Sequence, residues 1–136
     1  MAMFHAGIAE VVRRDPRYAY EAYEFVFAAL HHTQKLLGRV PAEESGDPGP
    51  HHHVNGRELL NGIRDLARRE FGLMARTVFH RWGIDRTDDF GAIVFNLVAS
   101  NLMSKTDEDG PDDFHEIYDL DRALSEGYEI KLEEAE

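Results

Sequence analysis

Histidine is the residue type here with the most obvious chemistry. The chain has eight, three of them consecutive at His51, His52 and His53. Neutral imidazole is a good ligand for zinc, nickel or copper, so His51 and His53 are the candidate metal ligands, with His31 and His32 as possible additions from the preceding segment. The triplet sits in a stretch rich in proline and glycine, where nothing in the sequence fixes ligand geometry. Neither HExxH nor a helical Glu-x-x-His pair occurs, so the common zinc-protease and di-iron patterns are absent. No cofactor is expected, and a histidine-based metal-binding protein stands as an alternative reading.

A second group is basic. Arg57, Arg64 and Arg68 stand at i, i+7 and i+11, which places all three on one side of a helix. Such a row is a solvated face, a face neutralised by the chain's own acids, or a docking site for RNA backbone or an acidic partner. A third group is acidic: Asp107, Glu108, Asp109, Asp112 and Asp113. It belongs to the stretch from Leu102 to Glu136, which holds 13 of the 26 Asp and Glu but only 3 of the 15 Lys and Arg. Of the net charge of −11, all but one unit lies there. Acids in a charge run are ordinarily solvated, so this stretch reads as an electrostatic surface and not as acid–base machinery. No G-x-S-x-G elbow, phosphate-cradling loop or dinucleotide fingerprint is present, and no catalytic residue is assigned.

The elements that position these groups are legible from periodicity. Phe4, Ile8, Val11 and Val12 recur on one helical face. Asp15-Pro16 resembles a cap followed by proline at the first helical position, opening a long aromatic-rich helix to about Leu37, with Gly38 after its end. Its tyrosines and phenylalanines surround the axis. A helix apolar on several faces must be covered on several faces, so Tyr18, Tyr20 and Phe25 are candidates for the core or for self-association as a homodimer. Residues 39–53 form a Pro/Gly/His linker. Asn55 and Glu58 then fit a capping box, opening a helix that Gly72 ends. Met74 to Trp82 is a further helix stopped by Gly83, and Thr87 is expected to cap a third, with Phe90, Ile93, Val94, Leu97 and Val98 inward.

After Leu102, the segments 102–105 and 114–118 read as two short strands joined by a turn at Gly110-Pro111. Three helices and a hairpin give the winged-helix order. The expected architecture is mainly α within the α+β class: an N-terminal helical segment over 1–38, the linker 39–53, a winged-helix-like domain over 54–120 and an acidic tail over 121–136. Tyr128, Ile130 and Leu132 alternate with charged residues as a third strand or a tail.

Winged helices are best known for binding DNA, and this charge pattern argues against that activity. A reader helix needs Arg, Lys, Asn or Gln at base edges and cations beside the phosphates. No Lys or Arg stands between Arg86 and Lys105, so only Asn96 and Asn101 remain, beside an acidic wing. A protein with a basic surface, or a ribonucleoprotein, is the expected partner. The nucleic-acid alternative rests on the Arg57/Arg64/Arg68 face. No stretch is apolar enough for a membrane span, and MAMFHAGIAEVVRRD lacks the pattern of a signal peptide. Together with a chain free of cysteine, this points to the cytoplasm.

The strings RYAYEAYEFVFAALHHTQ, HVNGRELLNGIRDLA, WGI with TDDFGAIVFNLV, and LMSKTDED with DDFHEIYDL resemble an uncharacterised family of small bacterial proteins of the planctomycete and verrucomicrobial type. The resemblance covers roughly Arg17 to Leu120. It implies a free-standing bacterial cytosolic protein. It carries no activity, cofactor or site residue with it.

Overall fold

In a computed structural model the described residues are 6–38, 54–103, 111–120 and 122–124. Five α-helices account for most of them: α1 (Ala6–Arg14), α2 (Tyr20–Leu36), α3 (Gly56–Phe71), α4 (Ala75–Arg81) and α5 (Thr87–Ala99). A 3-10 turn, Gly72–Met74, joins α3 to α4. Beyond α5 the chain forms a second 3-10 turn, Pro111–Phe114, and becomes helical again at 122–124.

The helices after the linker form as their sequence demands. Asn55 accepts from the Glu58 N–H at 2.8 Å while the Glu58 carboxylate accepts from the Asn55 N–H at 3.0 Å. This satisfies two of the donors that a helix start leaves open. Gly72 follows the last residue of α3, and Gly38 lies just beyond α2 at φ 68°, a region that glycine enters without steric cost.

Helices α2 and α3 run antiparallel. Phe25 lies beside Phe71, His32 beside Asp65 and Thr33 beside Gly62. At the last of these the two backbones nearly touch, because a Cβ on Gly62 would overlap the Thr33 hydroxyl. Thr33 itself is buried, and its hydroxyl donates to Ala29 O within α2 at 2.7 Å. At the other end of the pair, Phe25 gathers Phe71, Phe79 and Trp82 at ring separations of 5.6–5.7 Å, and Phe79 stands edge-on to Phe90 at 5.2 Å. Tilted and edge-on pairs suit the aromatic quadrupole and add to the gain from burial. Tyr23, Leu60, Ile63, Ile93 and Leu97 fill the space beneath.

Two expectations are corrected on the N-terminal side. Helix α2 begins at Tyr20, not at Pro16. Asp15 does not cap it, because its carboxylate takes Arg17 Nε and Nη2, each at 2.8 Å, and Asn96 Nδ2 from α5 at 2.8 Å. Residues 15–18 therefore turn, and Ala19 N–H donates to Trp82 O at 3.1 Å, which ties the start of α2 to the α4–α5 corner. Nor does Thr87 cap α5. Arg86 occupies that position, and the Asp89 carboxylate accepts from the backbone N–H of Asp85 at 2.9 Å and of Arg86 at 3.2 Å.

The larger correction is to the fold class. No strand exists among the described residues, so the hairpin and the winged-helix architecture are absent while the mainly α character holds. Phe114, Ile117 and Tyr118 are spaced three and four apart, a helical spacing and not the alternation of a strand. Glu116 sits at φ 47°, which no extended ladder tolerates. The linker 39–53, the stretch 104–110 and the possible strand near 128–132 lie outside the described residues.

Introducing a Cβ at the tightest helix crossing tests this packing. Gly62→Ala is expected to lower stability by about 1–3 kcal/mol, the usual cost of overfilling a close-packed core. Adding Thr33→Ala should recover part of that loss; urea unfolding of the single and double variants measures both.

Candidate functional site

The acidic third of the chain returns to the helical body as a strap, residues 111–124, laid across α3 and the start of α5. Phe114 is its anchor. The ring is 3% exposed and reaches between two helices that carry glycine where it passes. A Cβ on Gly91 would lie 2.9 Å from Phe114 Cβ, and one on Gly56 would lie 3.0 Å from the ring. Phe95 closes the seat edge-on at 6.2 Å. Burying such a ring contributes about 1.5–3 kcal/mol.

Polar contacts then fix the strap's backbone. Thr87 Oγ1 donates to Phe114 O at 2.6 Å and accepts from Ile117 N–H at 3.1 Å, so one buried hydroxyl closes the turn from both sides. Asp88 Oδ1 accepts from Glu116 N–H at 3.0 Å, and its other oxygen meets His115 Nδ1 at 2.7 Å. Tyr118 donates its phenol proton to Leu60 O at 2.7 Å, and Arg64 Nε donates to Ala123 O at 3.0 Å.

The titration behaviour follows from these contacts. The hydrogen bond from His115, aided by that from Glu116 N–H, holds the Asp88 carboxyl below its ordinary value. Burial pushes the Tyr118 phenol up, against the nearby Arg64 charge, so it stays protonated and can donate. Two further carboxyls, Asp85 and Asp65, are also lowered. For Asp85 the hydrogen bond from His80 leads, followed by Arg76; for Asp65 burial opposes, and His32 and Arg69 together outweigh it.

The three residue groups expected to matter fare differently. Asp107, Glu108 and Asp109 lie outside the described residues. Asp112 falls within the Pro111–Phe114 turn, and Asp113 is half-buried with its Cβ against Gly56 at the start of α3. Of the basic row, Arg57 is exposed, but Arg64 is spent on the strap's own backbone and Arg68 is half-buried. Only Arg64 of the row is thus engaged by the strap.

Tyr18 and Phe25 are only 2% and 5% exposed and Tyr20 is half-buried, so these rings mostly fill the chain's own core. Tyr18 also donates to Asp89 at 2.7 Å, joining the start of α2 to the cap of α5. His51 and His53 lie outside the described residues. Among the described residues no group of three or more His, Asp or Glu side chains is placed to hold a metal ion. His32 and His80 each face an aspartate instead, at 2.7 Å.

Sequence reasoning missed Thr87, Asp88, Gly56 and Gly91 as the strap's seat. The interior glycine of α5 was the available signal, since a helix that accepts Gly at such a position gains close approach in exchange for backbone entropy. No family model, curated protein or solved structure matches the chain. Among the described residues no helix is long and apolar enough to cross a membrane.

Two outcomes test the seat. Thr87→Val preserves shape but strips the partner from Ile117 N–H and Phe114 O, so stability should fall by about 1–3 kcal/mol, with the Ile117 amide exchanging faster in hydrogen-exchange NMR. The lowered carboxyls set the acid limit. Because their folded values lie below their unfolded ones, their stabilisation is present above pH about 4 and is lost as pH falls through the folded values. Urea midpoints from pH 6 downward should drop below about pH 4, and less steeply in Asp88→Asn.

Proposed function

We propose that this chain is a non-catalytic protein–protein interaction module that engages a basic surface on a protein or ribonucleoprotein through its acidic strap. One observation carries the reading. The strap turns its apolar side chains Phe114, Leu120 and Leu124 into the body and leaves Glu116 and Asp119 exposed, within the stretch that holds nearly all of the net negative charge. A segment held by its backbone presents charge with little further ordering cost, and a concentrated field of one sign speeds encounter with a surface of the other.

The surface suits a polyanion poorly. Phosphate backbones need clustered cations, and Arg64 in the middle of the arginine row is engaged by the strap's backbone. The reading assigns no reaction. It places the module in the cytoplasm, as the cysteine-free composition suggests. The likeness to uncharacterised bacterial proteins agrees with this setting and adds no activity.

Affinity capture from a bacterial lysate, with and without nuclease, compares the native chain with a Glu116→Lys, Asp119→Lys variant. The expected outcome is a defined basic partner that survives nuclease and is lost with the charge-reversed strap. Retention of the same partner by the variant would remove the strap from the interaction.

A further inference from the structure

Among the described residues four large apolar side chains stand exposed, and the two most exposed are neighbours, Leu73 at 64% and Met74 at 58%. Both sit on the 3-10 turn between α3 and α4. Gly72 opens that turn at φ 54° and ψ −128°, the mirror image of the extended region, which glycine enters at little steric cost. The chain reverses there and leaves the next two side chains outside the core. Beside them the half-buried rings of Phe71 and Trp82 meet edge-on at 5.7 Å. The turn therefore stands at the outer edge of the aromatic slab.

Cations flank this apolar projection. Residues 66–84 hold four Arg and one Glu, with no Lys or Asp, in a chain whose net charge is −11. Arg76 is turned to the α4–α5 corner, where it donates to Ile84 O and Asp85, each at 3.2 Å. Arg69 and Arg81 are exposed. Arg69 precedes Leu73 by one helical turn, at the end of α3, and donates to Asp65 at 2.7 Å. Arg81 follows Met74 by two turns along the outer face of α4, with exposed Thr77 between them.

The combination selects one kind of occupant. A second copy docked by twofold symmetry would bring two like-charged rims together. A partner helix needs a groove to lie in, whereas this pair projects from a turn. A bilayer surface admits a few apolar side chains at the headgroup boundary, accommodates an amphipathic ring such as Trp82, and attracts arginine when its lipids are anionic. The strap's exposed acids stand well back from this end. The strap reaches Leu60 through Tyr118, and α3 rises about 16 Å from there to Phe71. That is about twice the screening length of about 8 Å at physiological salt.

We propose that the α3–α4 turn docks this protein peripherally on an anionic lipid bilayer. Leu73 and Met74 enter the headgroup boundary, and Arg69 and Arg81 meet the lipid phosphates on either side. The docking surface and the strap are separate, so a partner held by the strap and a membrane held by the turn can be engaged together.

The test is flotation of the full chain with vesicles of phosphatidylcholine and phosphatidylglycerol in equal parts, beside vesicles of phosphatidylcholine alone. Trp82 is the single tryptophan, so its emission supplies a second readout. The native chain is expected to float with the anionic vesicles, to shift its emission to shorter wavelength, and to dissociate as salt rises. Leu73→Ser with Met74→Ser should bind about tenfold more weakly, because the apolar area it removes is buried only in the docked state. Arg69→Gln with Arg81→Gln should lose about tenfold on the anionic vesicles. Circular dichroism of both variants should match the native spectrum, since all four side chains are exposed. Failure of the native chain to bind anionic vesicles would overturn the proposal, as would equal binding to neutral ones or undiminished binding by either variant. Self-association in place of vesicle binding, lost in the Leu73 and Met74 variant, would overturn it by assigning the turn to a second copy. Glu116→Lys with Asp119→Lys should keep vesicle binding, so failure of this docking and failure of the strap's partner capture are told apart.

Discussion

Everything in this molecule follows from how closely α2 and α3 approach. Gly62 lets the Thr33 side chain sit directly on the α3 backbone, so that side chain alone separates the two helices at that point. The larger residues are displaced to one end, where Phe25, Phe71, Phe79 and Trp82 form an aromatic slab. Helix α3 then has one side committed to α2 and another side left over. That second side carries Leu60, Arg64 and Arg68, and the strap occupies it. A wider crossing would shift the aromatic slab and the strap's track together.

The strap also explains why the helices were legible in the sequence and the architecture was not. Helices α3, α4 and α5 declare themselves through local signals: the Asn55–Glu58 box, the terminating glycines and a clean apolar stripe through Phe90, Ile93, Val94 and Leu97. These act within a few residues, so sequence reading captures them. The fate of 111–118 depends instead on partners 27 to 58 positions away. Thr87 looks like a cap because threonine at a helix start normally is one. Here its hydroxyl is worth more bridging Phe114 and Ile117, and Asp89 takes over the capping. The same competition moved the start of α2, where Asp15 prefers Arg17 and Asn96 to the helix it precedes. Thr87 gave up the helix start for a distant use, while Asp15 gave it up for its neighbour Arg17 and the distant Asn96 together.

Charge is organised by the same logic. The arginines of α3 and the acids of the last third look like separate surfaces in the sequence. Among the described residues, Arg64 of α3 bonds the strap's backbone while Glu116 and Asp119 of the strap are exposed.

Most of what holds the strap grips its main chain. Thr87 bonds a carbonyl and an N–H, Asp88 an N–H, and Arg64 a carbonyl; the strap's own side chains supply the buried Phe114, Leu120 and Leu124, the Tyr118 hydroxyl and the His115 ring in return. The outward positions are therefore nearly unconstrained by folding. Substitutions there can accumulate, or be written in by design, while the docking address on α3 and α5 stays the same. The fold separates where the segment sits from what it displays, which makes it a scaffold on which recognition can diverge faster than structure.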